Sequence, residues 1–259
     1  MNMVVLESVS KTFRQRAFFS RTVNEETHAL RQVSLEVAAG EVLGLLGPNG
    51  SGKSTTLKLI STVLLPDAGR VSVAEFNTRS HGQQVRRRVG FAIASERSFF
   101  PRLTARENLE FFAALEDVPR HDCRDRVESA LMSVLLGDVA EKQVMKFSSG
   151  MHQRLAIARA LLKRPSVLLL DEPSRSLDIA AASQLWELIH ELSARGIAIL
   201  LATHNFAEAS AVCERVAILK KGSVVATSRT RSLSERQLRE FYLNTAEQSS
   251  IGWNEEVPA

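Results

Sequence analysis

The stretch GPNGSGKST, Gly47 to Thr55, stands between the apolar run EVLGLL and the segment TLKLISTVLL. Glycine at Gly47, Gly50 and Gly52 frees the backbone to curl, so that successive N–H groups point into the concavity, a geometry that side chains would obstruct. The apolar run before it reads as a buried strand. Leu57, Leu59, Ile60 and Val63 after it have helical spacing. Strand, glycine loop and helix in that order place the positive end of a helix dipole at the loop and make it an anion cradle on an α/β core.

Gly47-x-x-x-x-Gly52-Lys53-Ser54 fits the Walker A spacing of a nucleotide phosphate loop. The candidate cradle comprises Gly47, Pro48, Asn49, Gly50, Ser51, Gly52, Lys53, Ser54 and Thr55. Lys53 would reach the β- and γ-phosphates and Ser54 would ligate Mg2+. The second half of such a site is expected where VLLLDEP ends a buried strand in two carboxylates, Asp171 and Glu172. Acids at the C-terminal edge of a parallel strand face the ligand crevice of an open α/β sheet. Asp171 would hold Mg2+ through water, and Glu172 would polarise an attacking water as general base. His204 follows a further buried strand, AILLAT, and would reach the γ-phosphate from the same edge.

The remaining chain reads as follows. Val4 to Ser10 and Val33 to Val37 are expected as strands of an antiparallel layer, separated by a basic insertion over about 14–28 that is more loop than element. PDAGRVSV adds a turn and a strand. Thr104 and Glu107 form a capping box that opens ARENLEFFAALE, and helical periodicity continues through CRDRVESALMSVLL. A helical lobe over about 90–162 is therefore expected inside the α/β core. The core resumes at SVLLLD, a helix near Ala180 to Ala194, IAILLAT, and a hairpin RVAILKKGSVVATS with a Lys-Gly turn. Ser232 and Glu235 would cap a last helix, and the polar residues from Gln248 would fray.

Composition narrows the function classes. In 259 residues, 44% are hydrophobic and 24% charged, an ordinary globular balance for one substantial core. No apolar run approaches the roughly 18 to 20 residues that span a bilayer, and the first residues lack the pattern of a signal peptide, so a cytosolic location is expected. The two cysteines, Cys123 and Cys213, form neither a disulfide framework nor a zinc motif. The net charge of +4 is modest and spread over mixed-sign stretches, so no nucleic-acid partner is expected. RQRAFFSR and Arg86 to Arg88 read as solvated charge, with anionic headgroups or an acidic partner surface as the alternative.

At FSSGMHQRLAIARALLKRPSVLLLDEPSRSLD the chain resembles the nucleotide-binding subunit of an ATP-binding cassette (ABC) transporter. The resemblance runs from about Val4 to Ser228, in the order phosphate loop, helical lobe, signature, Walker B strand, D-loop SLD and histidine switch THN. It implies a P-loop NTPase core with a mixed sheet, an N-terminal antiparallel layer and an inserted helical subdomain, in one domain over 1–247 with a polar tail over 248–259. It implies ATP and Mg2+, a separate transmembrane permease, and a second nucleotide-binding subunit in a homodimer, or in a heterodimer as the alternative, at the cytoplasmic face of the membrane. Ser148 and Gly150 would then donate to the γ-phosphate bound by the other copy, Asp178 would couple the two sites, and Phe13 matches the adenine-stacking aromatic or belongs to the core.

This chain departs from the family pattern in two places. The signature is FSSGM, with Phe147, Ser149 and Met151 replacing the usual leucine, first glycine and glutamine. The Q-loop segment GFAIASERSFFPRLT carries no glutamine, and Ser95 or Glu96 stands nearest. Both variants are similar to those of cassettes paired with exporters of polysaccharides, lipids or drugs, with an importer as the alternative. ERSFFPRLT, with Arg97, is the expected permease contact. A GTPase would need an Asn-Lys-x-Asp motif, a small-molecule kinase would lack FSSGM, and a soluble cassette ATPase acting on nucleic acid or ribosomes usually carries paired cassettes or coiled-coil insertions. A nonhydrolytic sensor has no use for Glu172.

Overall fold

Leu43 and Leu45 turn to one side of a strand, and Val42 and Leu46 turn to the other, where a separate apolar cluster receives them. That two-sided burial is what an interior strand of a covered parallel sheet requires. In the computed structural model, which describes residues 1–16, 23–93, 99–230 and 233–251, this strand is β3 (Val42–Leu46). Its neighbours are β8 (Ala198–Thr203) and β9 (Arg215–Lys220), both parallel to it. β7 (Val167–Asp171) and β6 (Val89–Ile93) extend the sheet beyond β8, and β10 (Ser223–Arg229) closes the other edge antiparallel to β9.

A second sheet joins β1 (Asn2–Arg16), β2 (Val23–Ala38), β4 (Ala68–Val73) and β5 (Phe76–Asn77) in the order β2-β1-β4-β5, antiparallel throughout. It packs with α1 (Lys53–Ile60) against one face of the larger sheet, around Val4, Leu43, Leu59, Leu169 and Leu200. On the other face lie α3 (Ala105–Leu115), α4 (Arg120–Ser133), α5 (Ser149–Leu161), α6 (Ile179–Ala194), α7 (Phe206–Val212) and α8 (Glu235–Ile251). α2 (Gly82–Arg88) leads into β6. The capping box is present, since Thr104 Oγ1 accepts from the Glu107 N–H and Glu107 Oε2 accepts from the Thr104 N–H. Lys221 and Gly222 turn β9 into β10 with φ of 47° and 82°, the double-positive geometry of a type I′ hairpin.

Several sequence expectations are corrected. The segment over about 14–28 is not mainly loop: Arg14 to Arg16 extend β1 and Val23 to His28 belong to β2, with 17–22 outside the described residues. These strands are hard to recognise because polar cross-strand pairs hold them in place of an apolar alternation. Arg14 Nε donates to Glu26 Oε1 at 3.2 Å, and Thr12 Oγ1 meets His28 Nδ1 at 3.0 Å. Bulges interrupt the register, with Ser8 and Gln32 each at φ 48°. Gly90 to Ile93 form β6 of the parallel sheet, so the helical part begins after them. Ser234 and Gln237 form the box at the start of α8, because Ser234 Oγ is the hydroxyl within reach of the Gln237 N–H; Ser232 lies outside the described residues. α8 runs to Ile251 and so carries helical backbone beyond Gln248.

Candidate functional site

The register of three parallel strands assembles the site. Leu46 lies opposite Thr203, and Asp171 lies opposite Ala202, so Gly47, Glu172 and His204 all leave the sheet at one edge although they are far apart in sequence. Sequence separation does not matter to this convergence, because strand order β3-β8-β7 puts the three loops side by side.

The loop after β3 requires its glycines. A Cβ at Gly47 would stand 2.3 Å from the Leu219 carbonyl oxygen and 2.6 Å from Ser51 Oγ. Gly52 adopts φ 111° and caps α1, and a Cβ there would meet the Ala29 carbonyl at 2.7 Å. No side chain caps α1, so its first N–H groups and dipole face the loop concavity. Lys53 Nζ donates to the Gly47 carbonyl at 2.7 Å and the Pro48 carbonyl at 3.2 Å, which folds the ammonium back over the loop. Burial lowers the Lys53 pKa, opposed by the nearby charges of Glu172 and Asp171.

Ser54 Oγ donates to Asp171 Oδ1 at 3.1 Å, bringing the hydroxyl of α1 to the acid at the end of β7. Burial raises the Asp171 pKa; the Ser54 hydrogen bond lowers it, and the Glu172 charge raises it further. Beside it, Glu172 takes a left-handed backbone, φ 52°, and its N–H donates to the Ala202 carbonyl at 2.8 Å. This unusual conformation for a carboxylate residue lifts its side chain off the strand axis at the ligand edge. His204 Nδ1 stands 2.7 Å from Glu172 Oε2; the imidazole is 62% exposed and the carboxylate 19%.

These groups line a cavity of about 620 Å³, together with Phe13, Asn49, Gly50, Ser51, Gly52 and Thr55. Phe13 is 40% exposed on β1, so it forms cavity wall and not core. Gly47 and Pro48 support the cavity through their carbonyls on Lys53. Sequence reasoning missed Thr27, Ala29, Ile93 and Arg175, which also line it. Arg175 had a readable signal, a basic residue just after the paired acids; Thr27 and Ala29 lay in or beside the segment read as loop.

Ser148, Gly150 and Asp178 do not line this cavity. Ser148 caps α5, its Oγ accepting from the Met151 N–H at 3.2 Å, and Gly150 lies in the first turn of that helix. Asp178 caps α6, its Oδ1 accepting from the Ala181 N–H at 2.7 Å. Phe147 is buried in the core. Ser95, Glu96 and Arg97 fall outside the described residues. Of the aromatic pair after them, Phe99 is buried edge-on to Phe112, whereas Phe100 is exposed against Phe111.

The residues fit a magnesium nucleotide. A helix N-terminus without a capping side chain, a loop with no room for a Cβ at Gly47 or Gly52, and a buried ammonium suit phosphates. The Ser54 hydroxyl and Asp171 carboxylate are hard oxygen donors, and the described residues contain no denser cluster of acids, histidines or cysteines. Mg2+ commonly binds this way, through one or two protein oxygens with substrate phosphates completing its shell.

A phosphate loop, a strand ending in paired acids and a histidine at the next strand edge, on a sheet flanked by an antiparallel layer and a helical layer, define a P-loop nucleotide hydrolase of the cassette type. The ABC transporter family model matches residues 30–175. The ABC transporter ATP-binding protein NatA of Bacillus subtilis is 34% identical over 238 residues, 92% of this chain and 94% of that protein. The Nod factor export ATP-binding protein I of Burkholderia thailandensis is 39% identical over 206 residues, covering 80% of this chain and 67% of that protein. A solved dimeric ATP-binding cassette in a post-hydrolysis state with ADP and Pi superposes with a TM-score of 0.76 at 30% identity, over 89% of this chain and all of that one. The chain belongs to the ABC transporter family; it is an ATP-binding ATPase subunit of a transporter. No helix among its described residues is long and apolar enough to cross a membrane.

Proposed function

We propose that this subunit powers export of a polysaccharide, lipid or drug through a separate permease, working as a homodimer at the cytoplasmic face of the membrane. The observation that carries the dimer is the split of the predicted site residues. Lys53, Ser54, Asp171, Glu172 and His204 share one cavity, while Ser148 and Gly150 sit at the N-terminal end of α5 and outside it. That helix end has the chemistry to complete a phosphate site, and head-to-tail pairing of two copies supplies it to the partner's cavity. The export reading is supported by the FSSGM signature and by the relative named for Nod factor export.

In this reading the phosphate loop and Lys53 hold the triphosphate in line, and Phe13 packs on the base. Mg2+, held by Ser54 and through water by Asp171, would neutralise the charge shared by the β- and γ-phosphates. Glu172 accepts the proton of the attacking water, and His204, in contact with Glu172, orients it and faces the γ-phosphate. Asp178, at the start of α6, couples the two sites across the pair. Closure on ATP and reopening after hydrolysis move packed lobes as units and transmit the cycle to the permease.

Two measurements test this. Glu172→Gln should abolish steady-state hydrolysis while keeping ATP affinity, and X-ray scattering of that variant with Mg-ATP should show a dimer where the nucleotide-free chain is monomeric. A variant that still turns over removes Glu172 as the base, and a monomer at saturating ATP removes the composite site. Reconstitution with the co-purifying permease in proteoliposomes separates export from import.

A further inference from the structure

Glu208 is wholly buried in the first turn of α7, yet neither carboxyl oxygen closes a hydrogen bond. The hydroxyls of Thr203 and Ser174 and the indole N–H of Trp186 are the donors turned toward it, and the Trp186 Nε1 is itself buried without an acceptor. Thr203 Oγ1 accepts from the Asn205 N–H at 3.0 Å, which leaves its own hydrogen for Glu208. Asn205 Oδ1 accepts from the N–H groups of Ala207 and Glu208, fixing the turn that carries the carboxyl group inward. A polar side chain kept inside the fold with incomplete hydrogen bonds costs stability, so its retention calls for a reason other than stability.

The three donors come from three different elements. Ser174 lies in the loop that carries Glu172, Thr203 directly precedes His204 at the end of β8, and Trp186 lies on α6, whose N-terminus is Asp178. Two of the residues next to Glu208 are therefore joined by a few backbone bonds to the two members of the Glu172–His204 contact. The loop between Glu172 and Asp178 is bonded to itself: Arg175 N–H donates to the Glu172 carbonyl at 3.0 Å, Leu177 N–H donates to the Ser174 carbonyl at 3.1 Å, and Ser176 sits at φ 65°.

We infer that Glu208 is a positioning residue, whose buried carboxyl group, faced by donors from the loop after β7, the end of β8 and α6, fixes how these three elements sit and thereby sets the 2.7 Å contact between Glu172 and His204. It touches no substrate and acts through that pair. Because Asp178 caps α6, the same cluster links the position of the face proposed to meet a second copy to the geometry of the catalytic pair. The inference rests on the proposal that Glu172 and His204 are catalytic.

The test compares Glu208→Leu, Glu208→Gln, His204→Ala, the Glu208→Leu/His204→Ala double variant and Glu172→Gln in the full chain, by steady-state ATPase and equilibrium ATP binding. Glu208→Leu should lower kcat by about tenfold or more with KM and ATP affinity held within about twofold, the signature of a misplaced reacting group. Glu208→Gln, which keeps shape and an acceptor, should retain kcat within about threefold, and Glu208→Leu should add little to His204→Ala because both act on one contact. Wild-type kcat in Glu208→Leu, or losses that multiply in the double variant, would overturn the inference. If Glu208→Leu does not fold, Ser174→Ala and Trp186→Phe each remove one donor. A loss of kcat with binding intact in those variants supports the inference, and full kcat in both overturns it. Hydrolysis surviving in Glu172→Gln brings down the catalytic reading and this inference with it; hydrolysis lost there but kept in Glu208→Leu sinks this inference alone.

Discussion

His204 Nδ1 lies 2.7 Å from Glu172 Oε2, a contact between the loops that leave two neighbouring parallel strands. The carboxylate cannot rotate freely while the imidazole holds it, and the left-handed backbone at Glu172 fixes where it starts from. His204→Ala should therefore lower kcat by roughly 10²- to 10⁴-fold, the range for loss of one acid–base partner, with ATP affinity nearly unchanged. Single-turnover hydrolysis with bound ATP is the direct check. A variant with normal turnover would show that the contact is only structural.

Ser54 and Asp171 are the oxygen donors that fit Mg2+. Asp171→Asn should raise the Mg2+ concentration needed for half-maximal ATPase by roughly ten- to hundredfold, the range seen when a group that supports a metal is altered. Titration of turnover with Mg2+ at fixed ATP measures this, and an unchanged midpoint would remove Asp171 from the metal's surroundings.

Gly47 has no room for a methyl group, since its nearest obstacle is a backbone carbonyl, Leu219 O, which cannot swing away. Gly47→Ala should open the loop against β9, weaken ATP binding at least about tenfold and destabilise the fold by about 1–3 kcal/mol. Calorimetric ATP titration with denaturant unfolding checks both. Wild-type affinity would mean that β9 yields more easily than its packing indicates.

Leu200 is fully buried on β8, between β3 and β7, at the centre of the larger sheet. Leu200→Ala should cost about 2–5 kcal/mol in denaturant unfolding, the usual cost of a core cavity. A smaller loss would show that the facing antiparallel sheet relaxes into the space.

Burial raises the Glu208 pKa above its ordinary 4.5, with the donors Thr203, Ser174 and Trp186 lowering it and the Glu172 charge raising it. Burial raises the Cys213 pKa as well, and the Glu208 charge raises it further. Between 4.5 and the folded-state value, the folded chain keeps a proton that the unfolded chain has released, so stability falls as pH rises through that window. Glu208→Gln does not titrate. Its stability should keep a constant offset from the wild type below pH 4.5 and gain on it progressively above, as read by urea unfolding between about pH 4 and about pH 8. A gap that does not change with pH would place the carboxyl in a more polar setting than its burial indicates.

Much of this protein could be read from its sequence because the relevant physics is local. The phosphate loop needs glycines, lysine and serine at fixed spacing, and each requirement is met within nine residues, Gly47 to Thr55. Thr104 and Glu107 announce α3 by bonding each other across one helical turn, and Lys221-Gly222 announces its hairpin because few residue pairs accept two positive φ angles. The arms of β1 and β2 beyond Thr12 do not show in the sequence because their partners are across the strand, where Arg14 meets Glu26 and no apolar period records the pairing. Ser232 has the capping spacing to Glu235, but contacts at the start of α8 are made by Ser234 with Gln237, and the choice between neighbouring serines of similar spacing is one that spacing does not make. The tertiary structure alone decided that Glu172 and His204 touch, that Phe13 stands at the cavity wall, and that Glu208 is fully buried. Each depends on strand order and register, which bring together residues far apart in the chain, and neither is written in the spacing of residues along it.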